Sequence, residues 1–351
     1  MIDWSVAERV AEAVAGPGTP EHDLLPGDLP ALALQAEEAV SGYTRMRPLA
    51  PLPPIEAVGR VAWSRANLVT MRGTFAPLAE KLDAAGGGGL AGPLRNAGSL
   101  LVGVEMGGLV GWLGRRVLGQ YELSLLDPTA GARLLLVAPN LHGAAADMDV
   151  PLPDLLAWVA FHEVTHAVQF ASVPWLREHL GGLIRELLES ADVRVDVGAL
   201  LKMPDLQDLR ALAERLRDGD VVGVVLGPER RAVLDRVQSA MALVEGHAEH
   251  VMDAAGGPFL PNLERLRGAL DRRRRERPPL QRLLERLLGL EMKMRQYEVG
   301  RGFVDGVVEI GGIDALNRAW ASPEMLPSLD ELRDPGAWVR RTQVRAVTRG
   351  A

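Results

Sequence analysis

The chain has 351 residues, 47% of them hydrophobic, with a formal charge of −7 at neutral pH and a pI near 5.6. That is a globular composition with ample material for a core, and its mild acidity argues against nucleic acid as a main partner, because phosphate binding needs a basic surface. There is no cysteine, which excludes disulfides and thiolate metal sites and leaves His and carboxylate as the only strong metal ligands.

Residues 4–14 have helical periodicity and stop at Gly16-Pro17-Gly18. The N-terminus lacks a basic segment followed by an apolar one, so no signal peptide is visible and a cytoplasmic protein is expected. A second helix is predicted from about residue 31 to 44, and the proline-rich stretch 48–54 reads as an extended connector. Residues 56–82 read as a long helix, loosely interrupted near Gly73 and Pro77, with a flexible loop at 86–89. The next helix, 94–118, carries Gly103, Gly107 and Gly111 at every fourth position. Each costs roughly 1 kcal/mol relative to Ala, so their stacking on one face predicts that another helix or backbone packs closely there. The apolar stretch 99–113 reads as too short to span a bilayer and contains Glu105, so no membrane association is expected.

Residues 121–126 and 133–138 are the two strand candidates, the second ending at Pro139-Asn140. From Pro153 onward the pattern is almost wholly helical: 154–170, 175–203 with breaks, 206–217, 228–255, 262–274, 280–300 and 304–311. The end from Pro323 reads as loop-rich. The expected architecture is mainly α (α+β) with a small sheet just before the helix at 154–170. Its organisation is expected to be an N-terminal helical region at 1–120, a catalytic region at 121–335 and a tail at 336–351, in one compact unit.

That helix contains His162-Glu163-Val164-Thr165-His166, an HExxH segment in apolar surroundings. Residues four apart lie one turn above each other on a helix, so both imidazoles can point at a single ion. Burying two His and a Glu is costly unless something compensates them, and a metal compensates all three. The bland alternative is a pair of satisfied core histidines beside a Glu at the helix edge. In the metal reading the ion is Zn²⁺, and Glu163, next to the first ligand, is the general base for a metal-activated water.

A catalytic zinc usually keeps three protein ligands. A third His close behind the motif is excluded, because position 169 is Gln and position 172 is Ser. The segment Glu245-Gly246-His247-Ala248-Glu249-His250 suits the role instead. Glu245 is the favoured ligand, with His247 or His250 next and Glu249 behind them. If Glu245 binds the metal, Glu249, on the same helical face, can accept a hydrogen bond from the far nitrogen of a ligand His. His250 and His247, on a neighbouring face, can support the site or donate to a developing oxyanion. Tyr297 is a candidate oxyanion stabiliser, with a half-buried structural Tyr as the competing reading. His142 and His179 have no partner at diagnostic spacing, and the arginine run 272–275 reads as a solvated helix end.

The stretches Phe161 to Phe170, Val173-Pro174-Trp175-Leu176, Val244 to Asp253, Gln296-Tyr297 with Gly300 to Val304, and Leu316 to Trp320 with Ser322-Pro323-Glu324 together resemble one family. It is the zincin-like metallopeptidases grouped with hydrolases of deazaflavin-coenzyme biosynthesis. The resemblance implies an active-site helix, an adjoining sheet whose edge strand lines the cleft, and a glutamate ligand on a later helix; on that pattern residues 133–138 are the edge strand. It names no physiological substrate. The leading expectation is therefore a zinc-dependent hydrolase of amide bonds, most plausibly a metallopeptidase acting on a peptide or small amide. The alternatives are a non-enzymatic zinc-containing scaffold or binding protein and a coenzyme-pathway enzyme acting on a non-peptide amide.

Overall fold

A computed structural model of the chain describes residues 2–16, 25–85, 92–127, 129–189, 221–257, 259–260, 262–275 and 290–349. The end of the helical stretch expected at 175–203, the helix at 206–217, the first part of that at 280–300, and the loop at 86–89 lie outside the described residues. The first two helices start where local chemistry dictates. Asp3 caps α1 (Trp4–Ala15) by accepting from the Val6 amide, and Asp28 caps α2 (Leu29–Thr44) by accepting from Ala31. Each cap satisfies an amide that the first helical turn leaves without a partner.

A short strand, β1 (Ile55–Val58), follows the proline connector and precedes α3 (Arg60–Ala85). The sequence reading placed a helix start here. After α4 (Gly92–Gly114) come β2 (Gly119–Glu122) and β3 (Arg133–Val137). The sheet runs β1-β3-β2, with β1 parallel and β2 antiparallel to β3. The 133–137 strand is thus central, with β1 and β2 at the two edges, which corrects the edge assignment implied by the resemblance. Leu134 to Val137 are buried, as a strand covered on both faces requires. Leu134 and Leu136 face the large core that contains the 152–172 helix, while Leu135 and Val137 face a smaller core built with Ala7, Ala11, Trp63 and Val110.

The glycine stripe of α4 packs on α1 as its spacing predicts. A Cβ at Gly103, Gly107 or Gly111 would lie 2.6, 2.3 and 2.5 Å from the carbonyl oxygens of Asp3, Ala7 and Ala11. Its segment Ala97–Gly114 is long and apolar enough, by length and composition, to cross a membrane. That corrects the expectation that the stretch was too short.

Helix α5 (Ala138–Met148) follows β3 directly, with Pro139 in its first turn. Then come α6 (Leu152–Ser172), which carries the HExxH segment, and α7 (Pro174–Glu189). The late helices are α8 (Val221–Ala255), α9 (Leu263–Arg275) and α10 (Leu290–Leu316). α10 is one helix through Gly300 to Val304, where two were expected, and it kinks at Gly311-Gly312, with Gly312 at φ 70°. α8 and α10 touch backbone to backbone: a Cβ at Gly300 would lie 2.0 Å from Ala242 O, and one at Gly246 2.2 Å from the Gly300 carbonyl carbon.

The end of the chain is not a loose tail. Three 3₁₀ turns lead to α11 (Pro335–Arg349), started by Pro335 and by the Asp334 side chain accepting from the Ala337 amide. Trp338 is fully buried edge-on to Phe303 of α10 and donates its indole N–H to Met325 O.

Candidate metal centre and active site

α6 is apolar nearly all round, with Leu155, Leu156, Val159, Ala160, Phe161, Val164, Ala167 and Val168 buried. The helix is therefore fixed on every side, and His162 and His166 project from one face of a rigid element. Their Nε2 atoms lie 3.2 Å apart, with the rings edge to face. α8 brings Glu245 Oε2 to 3.3 Å from His166 Nε2 and 3.9 Å from His162 Nε2. Among the described residues this is the one group of three His or acidic side chains whose ligand atoms all lie within 4.8 Å of one another.

The donor set fits zinc. Three ligands at about 2.0–2.1 Å from an ion, in tetrahedral directions, sit roughly 3.3 to 3.4 Å apart, and two of the three measured edges fall close to that span. Two imidazole nitrogens and a carboxylate oxygen facing one point repel each other unless a cation or a shared proton sits between them. His166 shows the same preference. Burial is the largest single influence and acts to lower its pKa, but Glu245 and Glu163 outweigh it and hold the ring above the ordinary imidazole value. The pocket favours positive charge.

Behind this cluster, Trp158 stacks on His162, and His162 Nδ1 lies 3.4 Å from Met252 Sδ. Glu249, expected to hold one of these rings, makes no hydrogen bond to either among the described contacts. The thioether, on the same helical face as Glu245, occupies the position expected for a carboxylate.

Glu163 Oε2 accepts the backbone N–H of Tyr121 at 2.7 Å. The register explains why that amide is available. Val137 N donates to Leu118 O, and Gly119 stands opposite Leu136 and Tyr121 opposite Leu134. In the antiparallel alternation Gly119 and Tyr121 are the residues whose main-chain groups point away from β3. α6 comes close enough because residue 119 has no side chain: a Cβ there would lie 2.5 Å from Val159 Cγ1 and 3.0 Å from Glu163 Cγ. Gly119 and Tyr121 were not singled out from the sequence. The available signal was a glycine inside a strand pattern, which marks close backbone approach.

The remaining candidates are placed elsewhere. His250 bridges helices: Tyr43 of α2 donates its hydroxyl to Nε2, and Nδ1 donates to Asp305 of α10, both at 2.6 Å. His247 is fully buried, lies edge-on to Trp320, and closes no hydrogen bond at either nitrogen. Burial, then His250 and His166, lower its pKa to about 3, so it is neutral. The backbone of Tyr297 lies in α10, and its side chain lies outside the described residues. His179 sits away from the cluster, edge-on to Trp175.

The profile of a family described as zincin-like metallopeptidase matches residues 2–339. A crystal structure of a proposed hydrolase with a novel fold from Chloroflexus aurantiacus is 32% identical, covers 98% of this chain and 99% of its own, and superposes with a TM-score of 0.68. No curated protein matches the chain.

Proposed function

This chain belongs to the zincin-like metallopeptidase family, and from that premise we propose that it is a zinc-dependent hydrolase of amide bonds, acting on peptides. The observation that carries the reading is the convergence of His162, His166 and Glu245 on one point, with Glu163 beside them. A zinc ion held by these three residues supplies a Lewis acid that acidifies water and polarises a carbonyl. Glu163 takes the proton of the attacking water and returns it to the departing amine. The Tyr121 amide fixes one carboxylate oxygen of Glu163, so the base is held in place before substrate arrives.

A peptide is favoured over a small amide by the position of β2. It is an edge strand, and Gly119 and Tyr121 turn main-chain groups away from the sheet next to Glu163. An extended peptide can add there as a further strand, gaining main-chain hydrogen bonds irrespective of its sequence. The association with deazaflavin-coenzyme synthesis has no counterpart in this geometry and is not part of the proposal.

Glu163→Gln tests the mechanism. It keeps the size of the side chain and an acceptor for Tyr121, but cannot take a proton from water. Zinc content should stay close to the parent's, while turnover of a peptide library falls about 100-fold or more, the usual scale for losing a general base. Zinc-dependent hydrolysis that is equally fast in the variant overturns the role of Glu163 and leaves the metal site standing. A parent with zinc but no chelator-sensitive hydrolysis of peptides or small amides points to the scaffold reading instead.

A further inference from the structure

Resting on the metal-site reading above, we infer that Gln169 is the residue that positions His166: its carboxamide oxygen accepts the proton of His166 Nδ1 and fixes the ring for metal binding. His166 directs Nε2 at Glu245 and His162, so a metal-binding ring must carry its proton on Nδ1. A ligand histidine ordinarily passes that proton to a nearby acceptor, which fixes the tautomer and raises the basicity of the ligating nitrogen. Here Nδ1 is buried and closes no hydrogen bond. Buried N–H groups in native proteins are almost always paired.

Gln169 follows three residues later on α6, which puts both side chains on one face of the helix. It is fully buried and near enough to His166 to help raise the pKa of that ring as a hydrogen-bonding neighbour, while neither of its polar atoms yet has full hydrogen-bond geometry. The two groups therefore have complementary needs: a buried donor beside a buried acceptor. Rotation about the terminal Gln torsion, which is broad and low in cost, closes the bond without moving the helix. The rival acceptor is His247, neutral and fully buried, whose own pKa the charge of His166 helps to lower. Gln169 is favoured because it contacts the ring and shares its rigid helix. Glu249, the acceptor expected from the sequence, makes no such contact.

Three variants, Gln169→Leu, Gln169→Glu and His247→Leu, test this with zinc affinity measured by chelator competition and thermal melting measured on metal-free protein. Gln169→Leu removes the acceptor but fills the space with an apolar group of similar size. It should bind zinc 10- to 100-fold more weakly while the metal-free protein melts no lower than the parent, since a buried unpaired amide has been deleted. Gln169→Glu restores an acceptor oxygen and should recover the affinity. In ¹⁵N-edited spectra of the zinc-loaded parent, His166 Nδ1 should appear protonated with a slowly exchanging proton, and that proton should exchange faster in Gln169→Leu. Parent-like affinity in Gln169→Leu, equal losses in the Leu and Glu variants, or a loss confined to His247→Leu each overturn the inference. His166→Ala serves as the control: if it too binds zinc like the parent, the metal site itself is wrong, which is a separate failure.

Discussion

Three side chains and one missing side chain define the chemistry at the residue scale. His162, His166 and Glu245 converge on one point because α6 and α8 are held by the core on either side. The protein should therefore purify with close to one zinc per chain, and His162→Ala or His166→Ala should abolish it in elemental analysis. Glu245→Ala should weaken zinc severely by removing a ligand, whereas Glu249→Ala, which breaks no hydrogen bond to either ligand histidine, should leave the affinity near the parent's. The opposite order in a metal-competition titration would exchange their roles. Gly119 acts by what it lacks. Gly119→Ala drives a methyl into Val159 Cγ1 and Glu163 Cγ, a type of overpacking that costs about 1–3 kcal/mol. The push separates β2 from α6, so hydrolysis should fall with zinc content unchanged, and loss of zinc in this variant would show that the distortion reaches the ligands.

Between elements, the decisive contacts are backbone to backbone. α8 carries Glu245, and its position is set against α10 at Gly246 and Gly300, where neither residue has room for a Cβ. Gly300→Ala should thus destabilise the fold and weaken zinc, because α8 must back away from α6. Gly302→Ala, two residues on and with nothing within 4 Å, should stabilise instead, by up to about 1 kcal/mol of helix propensity. Chemical denaturation of the pair checks the sign, and equal effects would place the constraint elsewhere. The glycine stripe on α4 was readable because its spacing repeats on one helix, and the α6 motif was readable for the same reason. What escaped the sequence depends on partners far along the chain. Ile55 to Val58 looks like the start of the helix after it, and becomes a strand only by pairing with Leu134 to Val137. Pro139 looks like the end of a strand, but a proline also fits the first turn of a helix, where its missing N–H costs nothing. Glu245 stood among four candidates until the packing of α8 chose the face that turns toward α6. Gln169 was noted only for not being a histidine, since nothing in the local pattern announces a glutamine that answers a buried ring nitrogen.

For the molecule as a whole, the large core joins α2, β3, α5, α6, α8, α10 and α11, so a strained group inside it is felt by global unfolding. His247 is such a group. Its folded pKa is about 3, against an ordinary value of 6.5, because burial disfavours the charged ring. The unfolded chain therefore binds a proton that the folded chain does not, between about pH 6.5 and 3. Stability from this group is fully present above pH 6.5 and is lost as pH falls, at about 1.4 kcal/mol per pH unit inside that window. His247→Leu cannot take up the proton in either state and should lack this slope. Urea unfolding of parent and variant, both with chelator so that protons do not compete with zinc, should give curves that run parallel above pH 7. Below pH 6 the parent should lose stability faster, the gap widening as carboxylate protonation affects both proteins alike. Parallel curves down to pH 5 would mean that His247 gains a proton within the fold, and that the core beside Trp320 opens to water more readily than its packing indicates.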